Sequence, residues 1–425
     1  MTQALHGPVP ARLTPRPLVL ALLLGVAVLC YADRYLLAGL AQPIKREFGL
    51  SDTVLGVLLG PAFALLYTIL GVPAARLADR TSRVAVAAGG CMLWSVFTAL
   101  TAFAHDPLVL GIARVGVGIG EAAYQAPVMA LIAAYFPPHQ RGRALSLMAC
   151  AIYIGQMSGM AGGPAIAAAS SWRTPFALLG GVGLAMGLAA WLLIREPARD
   201  RLPQAQTADQ RLPALTRRLI RAPSWLLLTV GLGLGSFSGV SFGLWGPALF
   251  ERAYGLTTQA AGAAFGVPFG LAGLTGTLCY GFVSDRLGRG GSHRPLRLAA
   301  GALAVATCCI FAITWVPELR TAQLLAIPSG LLGGGWSVGI FVGFQHILPE
   351  RHRASGTAIA LLAVGLVGNL SGPWAAGVLS DAFGGGLSGL RLALTLVIPT
   401  GLIGAAAMWR ASSLLDADRQ RLSNL

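Results

Sequence analysis

Two residues in the stretch Arg114-Val-Gly-Val-Gly-Ile-Gly-Glu121 have types and a spacing that can do ion chemistry. They lie inside an apolar run, near 108–136, long enough to cross a bilayer. A charged side chain at that depth costs about 3 kcal/mol on insertion scales. Seven residues are two helical turns, so Arg114 and Glu121 project from one face. Glycines 116, 118 and 120 slim the helix between them and admit a neighbour or a ligand. A second charged pair, Asp33-Arg34, interrupts the first apolar run near its outer end.

Asp33 is a candidate proton carrier, because the proton affinity of a buried carboxylate depends on whether an arginine stands beside it. A substrate that competes for that arginine can therefore move the proton. Glu121 either shares this task or holds Arg114 in place. Arg114 can bind a phosphate or carboxylate bidentately. Arg34 reads equally as a substrate ligand or as a structural partner. The plainer alternative is that the four charges form structural ion pairs linking helices 1 and 4.

The elements that must position these residues are membrane helices. The chain is 425 residues long, 55% hydrophobic and only 11% charged, with a mean hydropathy of +0.69. A soluble domain carries about 25% charge, so the fold class expected is all-α integral membrane. The formal charge of +15 would suit nucleic acid, but most of the basic residues fall in alternate loops and at the two ends. That pattern orients membrane helices, puts both termini in the cytoplasm and excludes a nucleic-acid partner. The six cysteines (30, 91, 150, 279, 308, 309) have no metal-ligand or disulfide spacing and read as small packing residues. Arg12 and Arg16 before Leu18–Leu29 imitate a signal peptide, but no small-residue cleavage site follows, so this run is read as a retained first span.

The expected organisation is a cytoplasmic tail (1–15), a six-helix bundle (16–194), a polar, Arg-rich cytoplasmic linker (195–222), a second six-helix bundle (223–411) and a cytoplasmic tail (412–425). Ser51-Asp52-Thr53 reads as the N-cap of helix 2. Residues 211–221, which mix Leu and Ile with Arg, are expected either along the membrane surface or in a solvated loop. The two halves repeat: Phe48-Gly-Leu-Ser-Asp-Thr-Val-Leu-Gly56 returns as Tyr254-Gly-Leu-Thr-Thr-Gln-Ala-Ala-Gly262. Asp79, Arg80 and Arg83 return as Asp285, Arg286 and Arg289, and the turn Pro137…Arg141 returns as Pro349…Arg353. Parallel six-helix repeats of this kind build carriers that open alternately on either side of a central site. Asp79, Arg80, Arg83, Arg141, Asp285, Arg286, Arg289 and Arg353 are the candidate conformational gate, since an acid beside arginine at a helix end can lock and release two helices.

Gly281-Phe-Val-Ser-Asp285-Arg286-Leu-Gly288-Arg289 is the G-x-x-x-D-R-x-G-R signature of the major facilitator superfamily, and Ala75…Asp79-Arg80…Arg83 is its first-half copy without the glycines. Within that superfamily the N-terminal half resembles the Spinster family. The resemblance rests on Tyr31-Ala-Asp33-Arg34-Tyr35, Gln42-Pro43-Ile44-Lys45, Phe48-Gly49-Leu50-Ser51-Asp52, Leu77-Ala78-Asp79-Arg80-Thr81-Ser82-Arg83 and Arg114…Glu121-Ala122. In the second half it is thinner, mainly Trp245-Gly-Pro247 and Tyr254-Gly-Leu256. It implies a proton-linked carrier whose animal relatives move sphingosine-1-phosphate and lysophospholipids, with Asp33 and Glu121 matching the family's acidic pair and Arg34 and Arg114 its basic pair.

Tyr124, Tyr153, Trp245, Trp336 and Phe341 are aromatic residues at mid-helix depth that can line an amphiphile-sized cavity or simply pack. The first four, with Arg34 and Arg114, are the candidate substrate ligands. Gln125, Gln156, Gln345 and Asn369 are weaker, uncharged candidates, and His346 and His352 are expected at the surface. No nucleotide motif, metal cluster or catalytic triad occurs, so the protein is expected not to be an enzyme and to need no cofactor. Its energy is expected from a proton gradient. The expected function is alternating-access transport of an amphiphilic, anionic, lysolipid-like substrate by a monomer in a bacterial inner membrane, with lipid and protons as its other partners. Alternatives are a symporter of sugar acids or carboxylates, a multidrug exporter, and, outside transport, a membrane receptor or scaffold.

Overall fold

A computed structural model describes residues 14–197, 216–217, 219–288, 291, 293–349 and 353–422. Among these, twelve helices are long and apolar enough to cross a membrane. They are α1 (Arg16–Gly39), α2 (Asp52–Arg80), α3 (Arg83–Thr101), α4 (Pro107–Tyr135), α5 (His139–Ala168) and α6 (Arg173–Leu193) in the first half. The second half holds α7 (Pro223–Tyr254), α8 (Thr258–Ser284), α9 (His293–Trp315), α10 (Leu319–Ile347), α11 (Gly356–Ala382) and α12 (Gly386–Ser412). The protein is a multi-pass membrane protein, and an even number of spans puts both ends of the described chain on one face, the terminus face.

Local chemistry sets the helix starts. Ser51, Ser82 and Asp106 accept from the backbone N–H of Val54, Ala85 and Val109 at 3.2, 3.0 and 2.9 Å, each satisfying one orphan donor of a first turn. Sequence did not show where the spans break. α4 divides into Pro107–Ala122 and Gln125–Tyr135, and its repeat partner α10 into Leu319–Gly333 and Trp336–Ile347. α5 and α11 each carry a wide π turn, Ser158–Gly162 and Gly365–Leu370.

Three apolar clusters show how the halves meet. One draws on both halves and occupies the face away from the termini, the distal face, with Leu40, Leu55, Phe250, Phe265 and Leu390 among its members. The other two lie toward the terminus face, one built only from the first half and one only from the second. Among the described residues the bundles therefore share apolar packing at the distal end and keep separate apolar cores toward the termini.

Two related seams make the distal joint. A Cβ on Gly56 of α2 would meet the Pro373 carbonyl of α11 at 2.8 Å, and one on Gly262 of α8 would meet the Met160 carbonyl of α5 at 2.0 Å. These glycines are repeat partners, and in both places backbone packs directly on backbone. Of the two seams, the α2–α11 one is also bound by charge among the described residues. The fully buried Asp52 carboxylate takes Lys45, both terminal nitrogens of Arg252 at 2.8 and 2.7 Å, and the Ser380 hydroxyl at 2.6 Å. Asp381, in the second half, accepts from the backbone N–H of Asp52 and Thr53 at 3.0 and 2.7 Å. A carboxylate of one bundle thus caps a helix of the other. The short helix Ala41–Phe48 brings Arg46 to Glu251 at 2.6 Å on the same face.

The described parts of both expected tails are packed. Thr14 donates to the Leu193 carbonyl at 2.7 Å and accepts from the Arg195 N–H at 3.0 Å. After α12, Leu415–Leu422 forms a helix whose Leu415, Asp418 and Leu422 are buried, and Asp418 accepts from the Ser224 N–H at the start of α7 at 2.7 Å. Residues 1–13, 198–215 and 423–425 of the expected tails and linker, with most of the expected surface segment 211–221, lie outside the described residues.

Replacing Asp381 with Ala removes the acceptor of two first-turn N–H groups, worth about 1 kcal/mol. The expected result is a roughly fivefold rise in the population open at the distal face, read as longer distances between spin labels placed across the α2–α11 seam. Unchanged distances would leave closure to the apolar packing and to the Asp52 and Arg46 ion pairs.

Candidate functional site

α1 and α4 cross so that each residue of the Asp33-Arg34 dipeptide meets a partner on α4. Arg34 Nη2 lies 2.6 Å from Glu121 Oε2, and Arg114 Nη1 lies 3.3 Å from Asp33 Oδ2. The pairing is dictated by helix geometry. Neighbours on one helix do not face each other, and residues two turns apart stand about 10 Å from one another along the axis. Asp33, Arg114 and Glu121 are 1%, 2% and 1% exposed, so each charge needs its partner.

The two pairs differ in quality. Arg34 makes a short charge-assisted bond to Glu121. Its guanidinium also sits in a cage of three rings, 5.3 Å from the Tyr31 centroid, 4.7 Å from Phe63 and 4.6 Å from Tyr67, a cation–π environment. Only the i, i+4 spacing of Phe63 and Tyr67 was readable as a shared face. The Asp33–Arg114 pair is looser, at 3.3 and 3.4 Å. Arg114 Nε and Asp33 Oδ2 have no hydrogen-bond partner among the described residues. Asp33 Oδ1 receives the Thr98 hydroxyl of α3 at 2.8 Å, a contact sequence reasoning missed.

Arg34 and Arg114 line a chamber of about 90 Å³ together with Asn369 of α11. A second chamber, of about 240 Å³, is bounded by Tyr153, Gln156, Phe242, Phe269, Leu303 and Trp336. Tyr35 and Val240 line both, so a charged compartment adjoins a mainly apolar one. Tyr153 donates to the Gly334 carbonyl at 3.2 Å, where α10 is broken. Tyr153, Trp336, Gln156 and Asn369 thus stand where cavity residues were expected.

Tyr124 and Trp245 do not. Tyr124 is 5% exposed, donates to the Leu23 carbonyl at 2.6 Å and packs edge-on against Trp94. Leu23 is eleven residues before Arg34, about 16 Å along α1 toward the terminus face, because α4 breaks at Tyr124 and turns the ring into the first-half core. Trp245 is fully buried and donates to the Pro373 carbonyl at 2.9 Å. It belongs to the distal seam. Phe341 packs against the second-half cluster, while Gln125 and Gln345 are exposed.

On the terminus face Asp79, Arg80, Arg141 and Arg286 are exposed and Arg83 is half-buried. Arg141 donates to the Phe136 and Ala133 carbonyls at 2.9 and 2.7 Å, and Arg353 to Leu348 and Gln345 at 3.3 and 3.1 Å. Each closes the last turn of the helix before it, α4 or α10. The start of α3 is held by Glu196, which accepts from the Ser82 hydroxyl and from the N–H groups of Arg83 and Val84; no sequence motif announced it. The Asp285 side chain, Arg289 and His352 lie outside the described residues. His346 Nε2 is 2.9 Å from Asp416 Oδ1.

The model of the Major Facilitator Superfamily matches residues 23–371. The chain belongs to the major facilitator superfamily. It is 31% identical over 412 residues to an MFS-type efflux pump of Mycolicibacterium smegmatis, covering 96% of this chain and 94% of that one. It is 28% identical over 435 residues to human protein spinster homolog 1, covering 95% and 82%. Among solved structures, a bacterial homolog of the human lysosomal transporter Spinster, inward-facing and unoccupied, superposes with a TM-score of 0.82 at 26% identity, covering 95% and 98%. The protein is thus a superfamily transporter resembling the Spinster family, and not an enzyme.

Removing Glu121 alone strands Arg34 in a mostly buried place. Glu121→Ala is expected to lower stability by about 3 kcal/mol, while Glu121→Ala with Arg34→Leu recovers most of it, as read by thermal unfolding in detergent. Equal losses in both variants would mean that the aromatic cage, rather than the ion pair, carries the stability.

Proposed function

We propose that the protein is a proton-coupled carrier of an amphiphilic anion, of lysolipid type, working by alternating access between its two halves. The observation that carries this reading is the pair of adjoining chambers. An anionic head fits between Arg34 and Arg114, and an apolar tail fits past Tyr35 and Val240 into the larger, second-half chamber. Binding is coupled to a proton through the looser ion pair. An anion draws Arg114 away from Asp33, and a buried carboxylate that loses its cation is neutralised most cheaply by a proton. Arg34 stays in its cage against Glu121 and offers its free edge to the head. Glu121 shares the proton task when the anion also engages Arg34. Energy comes from the proton gradient, with no cofactor.

The basic bias of the terminus-face loops puts that face in the cytoplasm, so the face on which each half keeps its own apolar core is the inward one. We place the protein in a bacterial inner membrane, functioning as a monomer. A second reading has one observation in its favour: the charged chamber alone, at about 90 Å³ with Asn369 beside two arginines, suits a small sugar acid or carboxylate.

Reconstitution into liposomes with an internal pH dye separates the two. Lysophospholipid is expected to drive proton movement that Asp33→Asn reduces at least tenfold. Response to a sugar acid alone would move the protein to the organic-anion reading, and binding without any flux would sink the transport mechanism described. The tail chamber has its own test. Gly239 lines the larger chamber and a Cβ there meets nothing within 4 Å, so Gly239→Leu is expected to reduce the chamber. It is expected to cut uptake of long-chain lysolipid several-fold and to spare a short-chain analogue; equal effects on both would remove the tail from this chamber.

A further inference from the structure

Helix α3 carries three buried hydroxyls, Ser95, Thr98 and Thr101, and they do not behave alike. Ser95 donates to the Cys91 carbonyl at 2.7 Å and Thr101 to the Phe97 carbonyl at 3.0 Å. In the second half, Thr307 and Thr314 of α9 donate to Leu303 and Ile310 at 2.7 and 3.0 Å. This return to the carbonyl four residues back is the ordinary way for a helix to satisfy a buried hydroxyl in an apolar setting. Thr98, 1% exposed, is the exception: its hydroxyl leaves its own helix and donates to Asp33 Oδ1 at 2.8 Å.

That bond makes the two carboxylate oxygens unequal. Oδ1 faces Thr98 and Arg114 Nη2, at 2.8 and 3.4 Å. Oδ2 meets Arg114 Nη1 only by charge, at 3.3 Å, and has no hydrogen bond among the described residues. A proton arriving at Asp33 therefore has one open oxygen. The charged and titratable groups around it are Arg114 and Glu121 from α4 and Arg34 and Cys30 from α1 itself. α5 approaches this stretch of α1 with Gly155 and Gly159, and α6 sets Phe176 against Arg114. Thr98 is thus the uncharged donor to Asp33 among the described residues.

We propose that Thr98 is a positioning residue for the proton site: its hydroxyl orients Asp33, favours its charged form facing Arg114, and so sets the pH at which Asp33 accepts its proton. The proposal rests on Asp33 being the proton carrier. A donor to a carboxylate favours the ionised state, so its removal makes protonation easier and moves it to higher pH.

The test is an infrared pH titration of the purified protein, following the protonated-carboxyl band that Asp33→Asn abolishes, with the pH profile of lysolipid-driven proton movement in liposomes as a second readout. Thr98→Val, nearly isosteric but without a donor, is expected to raise both midpoints by about one pH unit, a tenfold change in proton affinity or about 1.4 kcal/mol. Thr98→Ser is expected to match the native protein, and Thr98→Cys, a weak donor, to fall between. If Thr98→Val does not fold, the ordering of native, Ser and Cys midpoints decides. A band lost in Asp33→Asn but unmoved by the Thr98 substitutions overturns the role of Thr98 alone. A native band that survives Asp33→Asn overturns the proton site and the role of Thr98 with it.

Discussion

Four charges in an apolar interior, three fully buried and Arg34 mostly so, constrain everything else in this molecule. Alone, each of Asp33, Arg34, Arg114 and Glu121 would be strongly unfavourable inside the bundle. They are tolerated because α1 and α4 cross at a register where Arg34 meets Glu121 and Arg114 meets Asp33. The inequality of the two pairs matters more than their presence. A short, ring-caged pair is a fixed strut, whereas a pair at 3.3 Å whose Asp33 Oδ2 and Arg114 Nε have no hydrogen-bond partner among the described residues can exchange partners.

For such an exchange to do transport work, the bundles must rock, and the distal face shows how they are held in the state seen. Gly56 and Gly262 let backbone touch backbone on two related seams. Among the described residues, only the α2–α11 seam of the two is also bound by charge, where Asp381 caps α2 and Arg252 grips Asp52. The α5–α8 seam is a close backbone contact around Met160. The repeat is therefore symmetric in packing and asymmetric in electrostatics. Toward the terminus face each half keeps its own apolar core, so parting there exposes no shared cluster.

The cavity divides its chemistry in the same asymmetric way. The first half contributes the charges, and the second contributes most of the apolar wall, with Tyr35 and Val240 at the junction. A molecule with a charged end and an apolar end matches that division better than a uniformly polar one, because neither end then leaves a buried polar group or an apolar surface unmatched.

Sequence alone determined the elements and their inventory. Span length follows from bilayer thickness, so twelve apolar runs and the repeat of a six-helix unit were legible in the sequence, as were the Ser51 cap and the four costly charges. Tertiary structure decided who faces whom. The pairing of Arg34 with Glu121, the aromatic cage and the turn of Thr98 toward Asp33 depend on how helices distant in sequence are rotated against each other. Helix periodicity constrains only the position of residues on their own helix. The aromatic residues show the limit most plainly: Tyr153 and Trp336 reach the chamber, while Tyr124 and Trp245, of the same chemistry and likewise inside apolar runs, are carried into a core and a seam. What separates them is the break in α4 at Tyr124 and the close approach of α7 to α11. Both arise from packing between helices, which no single run of residues encodes.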